Sequence, residues 1–437
     1  MRRLLICRFA CAVTLLAAAS SIAASQARAA GDDAQTERAQ CAAIPPGFGH
    51  PSFNLTLVTL QLVQPSVEPV AATDGLIHLA YAAQVTNTGA QRADIVSVVP
   101  VDPLADFSPT GRNFITDRLG RDVTGKVRLF FPSPDDIVPD DGMTQPVPTF
   151  TTQVPAGNAR LIDFDVTYTD PALIPRLLAH AITLASSTAE GAPSTELTNP
   201  VPVGCKALAV LQPPLVGHGW FAQAACCAVA AYHRTNVLPW NGALQALNQF
   251  AIDFVLLGPN NACCNGPYTD LTSWWDYRAP VLAAASGVVV EAVDGLPDNQ
   301  AVGKMPVVAL ADLNGNHVVE DIGGGRYITY DHLTLGSVRV KAGARLSPGE
   351  LIGRVGSSGQ AIGPHLHFQV QDSPSPIDAN GLPFVFATQV LEGRVPESKN
   401  VFENFVAGLV TIDRTHTGVV HNLMPARNGV FGYNLSQ

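Results

Sequence analysis

The sequence predicts a mainly β protein of two or three domains, on three observations. Glycine (37) and proline (34) are abundant while aromatic residues reach only 7%, a balance that favours turn-rich sheet over long helices. Short apolar stretches are cut by turn clusters rather than sustained at helical spacing. At 437 residues, the chain is longer than one core usually serves. Charged residues make up 14% and hydrophobic residues 47%, so there is enough apolar surface to bury and disorder is not expected. A net charge of −10 with no basic block argues against nucleic acid and against an anionic membrane surface as partners.

Residues 1–30 read as a secretory signal peptide. Met1-Arg2-Arg3 is a positive start, Phe9 to Ala24 is an Ala/Leu-rich core, and Ala27-Arg28-Ala29-Ala30 offers small residues for cleavage. Removing the four arginines of that segment leaves 22 positive against 36 negative residues, near −14. No later segment is long and apolar enough to cross a bilayer, so the expected location is secreted or periplasmic, with no stable membrane insertion after cleavage. Cys7 and Cys11 leave with the leader, and six cysteines remain: Cys41, Cys205, Cys226-Cys227 and Cys263-Cys264. An even count in an exported chain points to disulfides. Pairing is expected within two sets, Cys41 with Cys205 and the vicinal cysteines among themselves; adjacent thiolates are poorly spaced for one zinc ion.

Residues 31–205 are expected to form a β-sandwich with a binding or structural role. Phe53 to Val63 alternates, Leu76 to Val85 continues as strand, and Asn87-Thr88-Gly89 turns. Ile95 to Val99 and the alternating Leu161-Ile162-Asp163-Phe164-Asp165-Val166 repeat the pattern. Val85-Thr86-Asn87-Thr88-Gly89 is similar to a strand-to-turn sequence of immunoglobulin-like modules, which makes that sandwich the expected architecture. Val201-Pro202-Val203-Gly204 reads as the linker that ends it.

Chemistry is expected between residues 210 and about 380, where six of the eleven histidines fall: His218, His233, His317, His332, His365 and His367. In Gly363-Pro364-His365-Leu366-His367-Phe368-Gln369-Val370, residues two apart share a strand face, so both imidazoles project together while Leu366 and Phe368 enter a core. Asp253 sits inside Phe250-Ala251-Ile252-Asp253-Phe254-Val255-Leu256, where a carboxylate is costly unless it is paired or ligates a metal. Tyr330-Asp331-His332-Leu333 follows the strand-like Arg326-Tyr327-Ile328-Thr329. Asp312-Leu313-Asn314-Gly315-Asn316 has oxygen donors at alternate positions but lacks the glycine and glutamate of a calcium loop, and no nucleophile elbow or phosphate loop occurs.

Over roughly residues 215–385 these pieces resemble the lysostaphin-type (LytM-type) zinc metallopeptidases, which cleave peptide cross-links of peptidoglycan. Ala279 to Val289, Val340-Lys341-Ala342-Gly343, Gly349-Glu350-Leu351-Ile352-Gly353 and Gly356-Ser357-Ser358-Gly359 extend the resemblance beyond the histidines. It implies an antiparallel β-sheet metallopeptidase domain over 210–385, a Zn2+ cofactor and a peptidoglycan peptide substrate. It also implies Asp253 and His367 as metal ligands, His365 as general base and His332 as the histidine that assists the tetrahedral intermediate. The family's first ligand histidine lies four residues before the aspartate, where this chain has Gln249, a poor zinc ligand. His233 is the first candidate to replace it, the absence of any third histidine ligand comes next, and His218 last. An Asn241-Gly242 hairpin turn would set His233 opposite residue 250 or 251, and only the latter register puts it on the face of Asp253. Gln249 also admits a second function, a catalytically silent protein that binds the wall or regulates a hydrolase. Residues 386–437 are expected to form a β-rich extension.

Overall fold

The computed structural model describes residues 57–64, 66–116, 121–130, 137–138, 147–185, 192–227, 232–300, 302–304, 306–375, 377–396, 405 and 407–433. The leader, Cys41 and the start of the strand expected from Phe53 lie outside the described residues. The protein is mainly β, with almost entirely antiparallel pairing.

The N-terminal part is built from two sheets. One has Val58–Leu62, Ile77–Asn87, Ala159–Tyr168 and Arg112–Asn113 in that order, with Val70–Ala71 against the second strand. The other runs Ser194–Leu197, Leu177–Leu184, Ala93–Asp102, Ser108–Pro109. Leu79, Tyr81, Val85, Phe164 and Val166 of the first sheet share a core with Ile95, Val98, Leu178 and Ile182 of the second. Tyr81 stacks on Phe164 with centroids 4.7 Å apart, and its Oη lies 2.8 Å from His180 Nε2 across the core. Burial pushes the His180 imidazole down to about 3, so it stays neutral there.

Ile77–Asn87 reads as a nearly continuous apolar strand because both of its faces are covered. Tyr81 and Ala83 point into the sandwich core, while Ala80 and Ala82 belong to clusters shared with the C-terminal part. Small side chains on that outer face let the two parts approach closely. The same burial explains Asp163 and Asp165, which the alternating pattern alone would leave facing water. Arg128 grips Asp163 with two hydrogen bonds, Nε to Oδ2 at 2.7 Å and Nη2 to Oδ1 at 3.0 Å. His78 meets Asp165 at 2.8 Å and Asp74 at 3.2 Å.

The C-terminal part is one long sheet. Its strands run Ala209–Leu211, Phe384–Arg394, Gly429–Tyr433, Gly217–Gln223, Ile252–Leu256, Leu366–Gln371, Arg326–Leu333, Asn316–Gly323, Gly287–Val293 and Arg345–Leu346. Phe254, Ile328, Tyr330, Leu366, Phe368, Phe384, Phe386 and Phe431 pack beneath it. The segment after residue 386 is thus stitched into the sheet next to Gly217–Gln223 rather than hung from it. The sulphurs of Cys226 and Cys227 lie side by side, as do those of Cys263 and Cys264, and the two vicinal pairs belong to different hydrophobic clusters. Among the described residues no helix is long and apolar enough to cross a membrane.

Candidate metal centre

Three neighbouring strands set the site. Asp253 on Ile252–Leu256 lies directly opposite His367 on Leu366–Gln371, which lies opposite Asp331 on Arg326–Leu333. Residues opposite one another in an antiparallel pair share a face, so a polar row crosses the sheet above an apolar underside. His367 Nδ1 is 3.0 Å from Asp253 Oδ1, and His365 Nε2 approaches the same oxygen at 3.6 Å. His365 Nδ1 is 2.9 Å from the Gly363 carbonyl, which can only accept. That bond puts the proton on Nδ1 and leaves Nε2 turned to the site.

His332 joins this face through a defect in the ladder. Asn316 pairs with Leu333 and Val318 with Tyr330, so two residues, Asp331 and His332, oppose the single residue His317. His332 takes a left-handed backbone, φ 63°, which breaks the alternation that would send its ring to the other side. Its Nδ1 bonds to Ser358 O at 2.8 Å, and its ring lies 4.8 Å from that of His365. The Gly356-Ser357-Ser358-Gly359 loop supplies that carbonyl. Ser358 Oγ donates to Leu333 O at 2.7 Å and accepts from Asn316 N at 2.9 Å. A Cβ on Gly359 would fall 2.3 Å from Gly315 N, which is the physical reason for glycine there.

His233 arrives by a route that hairpin arithmetic does not contain. Val237–Trp240 pairs with Ala243–Ala246 in the register Val237↔Ala246, which continued backwards would set His233 against residue 250 and on the wrong face. The ladder stops short, and His233 instead lies in the 3-10 turn Tyr232–Thr235. From there Nδ1 meets Ala251 O at 3.2 Å and Nε2 lies 3.3 Å from Asp253 Oδ2. Its ring stands edge-on to His367 with centroids 4.9 Å apart. One ligand atom each from His233, Asp253 and His367 all lie within 4.8 Å of one another.

His218 is remote from this group, exposed, and engaged with Glu392. Gln249 is also turned away, bonding to Gln64 and to the Ala80 carbonyl of the sandwich. A second cluster, His78, Asp165 and Cys227, has its ligand atoms equally close, but the Cys227 sulphur lies against that of Cys226 and both His78 nitrogens face carboxylates.

Electrostatics separates the histidines. Burial works to raise the Asp253 carboxyl, yet the charges of His233 and His365 and the bonds from His233 and His367 hold it well below the usual range. For His367 burial is outweighed by Asp253, and its affinity for a proton rises. Burial, with His365 and His367 nearby, holds His332 well below its ordinary value, and burial lowers His365 as well. The site therefore couples one carboxylate to an imidazole whose proton affinity it raises and sets beside them two imidazoles whose proton affinity is lowered.

Imidazoles converging on one carboxylate across an antiparallel sheet are a donor arrangement suited to a divalent ion. Residues 275–379 match the model of peptidase family M23, a span that includes His332, His365 and His367 but begins after His233 and Asp253. Residues 275–379 thus carry a peptidase family M23 domain. Among solved structures, the chain is similar to the catalytic domain of the antimicrobial peptidase lysostaphin from Staphylococcus simulans: 23% identity over 38% of this chain and 84% of that one, TM-score 0.20. It is similar to the catalytic domain of the prophage-encoded M23 protein EnpA from Enterococcus faecalis, at 20% identity over 30% and 72% of the two chains, TM-score 0.20. A putative M23 peptidase from Pseudomonas aeruginosa matches at 16% identity over 62% of this chain and 87% of that one, TM-score 0.21.

Proposed function

We propose that the protein is an exported zinc-dependent endopeptidase that hydrolyses peptide bonds, with peptidoglycan cross-links as substrate. The observation that carries this reading is the convergence of His233 Nε2 and His367 Nδ1 on the two oxygens of Asp253, at 3.3 and 3.0 Å. Ligand atoms held about 2.0–2.2 Å from a tetrahedral ion lie roughly 3.3 Å from one another; each ring nitrogen stands near that distance from one oxygen of Asp253, and one ligand atom of each of the three residues lies within 4.8 Å of the others, so the donor set suits zinc. His233, Asp253 and His367 would hold it, and two imidazoles with one carboxylate leave a position free. When bound, zinc supplies Lewis acidity and lowers the pKa of a water molecule.

The remaining steps belong to side chains. His365 presents Nε2 beside Asp253 and accepts the proton of the attacking water. His332, bonded through Nδ1 to Ser358 O and with its ring 4.8 Å from that of His365, is the side chain that would assist the carbonyl oxygen as charge develops there. Asp331, opposite His367 in the ladder, favours the charged form of its ring. In the same reading residues 1–30 are a leader, 31–205 the wall-binding or structural sandwich, 210–385 the catalytic domain and 386–437 its extension. Export also accords with the paired cysteines.

The engagement of Gln249 by the sandwich favours a second reading, a silent protein that binds the wall or regulates a hydrolase. Zinc stoichiometry and cleavage of a cross-linked peptide, measured in the wild type and in His367→Ala, decide between them. The peptidase reading expects one chelator-removable zinc and cleavage that the variant lacks. A zinc-free wild type, or a variant that cleaves normally, refutes it.

A further inference from the structure

The turn that carries His233 has little regular structure of its own to fix it. Its neighbour Arg234 leaves the C-terminal part altogether. The Arg234 side chain is buried, 2% exposed, and its Nη2 donates to Phe164 O at 2.6 Å and reaches Tyr81 O at 3.5 Å. Tyr81 and Phe164 are opposite one another in the sandwich ladder, so the guanidinium spans two of its strands. Asp163 and Asp165 flank the anchor point and attract its charge. Gln249, which begins the approach to Asp253, is held by Gln64 and by Ala80 O of the same sheet. The sandwich thus grips the chain on both sides of the hairpin between His233 and Asp253.

We propose that Arg234 is a positioning residue through which the N-terminal sandwich sets His233 in the metal centre, so that zinc affinity depends on the contact between the two parts of the chain. The inference rests on the zinc reading above and deepens it. With the usual ligand position given to Gln249, the substitute ligand stands on a 3-10 turn, and a turn does not hold an imidazole as a strand does. A guanidinium bridging two carbonyls across a rigid sheet adds a constraint on the turn to the bond that the His233 ring makes with Ala251 O. Movement of about 1 Å at His233 would lengthen its approach to Asp253 and leave the ion with two firm ligands.

The test uses the full chain. Zinc affinity is measured by competition with a chromophoric chelator, and coordination by the visible absorption of the cobalt(II)-loaded protein, for wild type, His233→Ala, Arg234→Met and Arg234→Lys. Metal-free melting curves report the fold. Arg234→Met is expected to bind zinc at least about tenfold more weakly and to move the cobalt spectrum toward that of His233→Ala, with Arg234→Lys between it and wild type. Wild-type affinity and spectrum in a folded Arg234→Met overturn the proposal. Should Arg234→Met fail to fold, Arg234→Lys is read by the same two outcomes. A wild type that takes up no metal refutes the zinc reading itself, which separates the two failures.

Discussion

Asp253 and His367 face one another in adjacent strands, 3.0 Å from Oδ1 to Nδ1, and every other titratable group of the site is arranged around that pair. Asp253→Asn keeps the shape and removes the charge. Zinc occupancy after dialysis is expected to fall from near one to a small fraction, with peptide cleavage lost in parallel. Full occupancy in the variant would show that the ion does not rely on this carboxylate.

His365→Ala separates binding from chemistry. His365 is not one of the three residues whose ligand atoms cluster, so the variant should retain zinc while turnover drops by roughly 10²–10⁴-fold. Metal analysis alongside single-turnover hydrolysis checks both halves, and joint loss of metal and activity would make His365 a ligand.

Gly356 lies against Thr334, just past the end of the strand Arg326–Leu333 that carries His332. A Cβ there would fall 2.3 Å from Thr334 N and 2.5 Å from its Cα, both backbone atoms that cannot step aside. Gly356→Ala is expected to cost about 1–3 kcal/mol in denaturant unfolding and to lower turnover, because Gly356 also bridges to His365. A variant as stable as wild type would contradict the close packing.

The His78 cluster gives stability a pH signature. Burial would lower this imidazole, but Asp165 and Asp74 raise it from 6.5 to about 10. A raised folded-state value means that the contribution is fully present below pH 6.5 and is lost as pH climbs through about 10. Unfolding midpoints should therefore decline across that window in wild type and decline less in His78→Gln. Parallel profiles would remove the ion pairs from the account.

Much of this arrangement is legible in one dimension because strand alternation is a strict rule. It sets His365 and His367 on one face and Leu366 and Phe368 on the other, and the rings do converge on Asp253. Three features are not legible, each for a physical reason. The bulge at Asp331-His332 inserts one residue into a ladder, and nothing in Tyr330-Asp331-His332-Leu333 marks where the count slips. His233 reaches the site from a turn, so register arithmetic from Asn241-Gly242, which leaves it opposite 250 or 251, does not place it. Asp163 and Asp165 read as a solvated face because their burial depends on a surface contributed by residues some seventy positions later. Ala80 and Ala82, small where a solvated strand would carry polar residues, were the available sign of that contact.

The placement of Gly429–Tyr433 between Phe384–Arg394 and Gly217–Gln223 bears on how the molecule is made. During synthesis Gly217–Gln223, which flanks the strand of Asp253, has an unpaired edge until some two hundred further residues have left the ribosome. Completion of the sheet is thus a late, long-range closure, and a chain shortened at its C-terminus exposes a sticky edge one strand away from the carboxylate. Nascent chains would pass through an aggregation-prone interval before they reach a form able to hold metal.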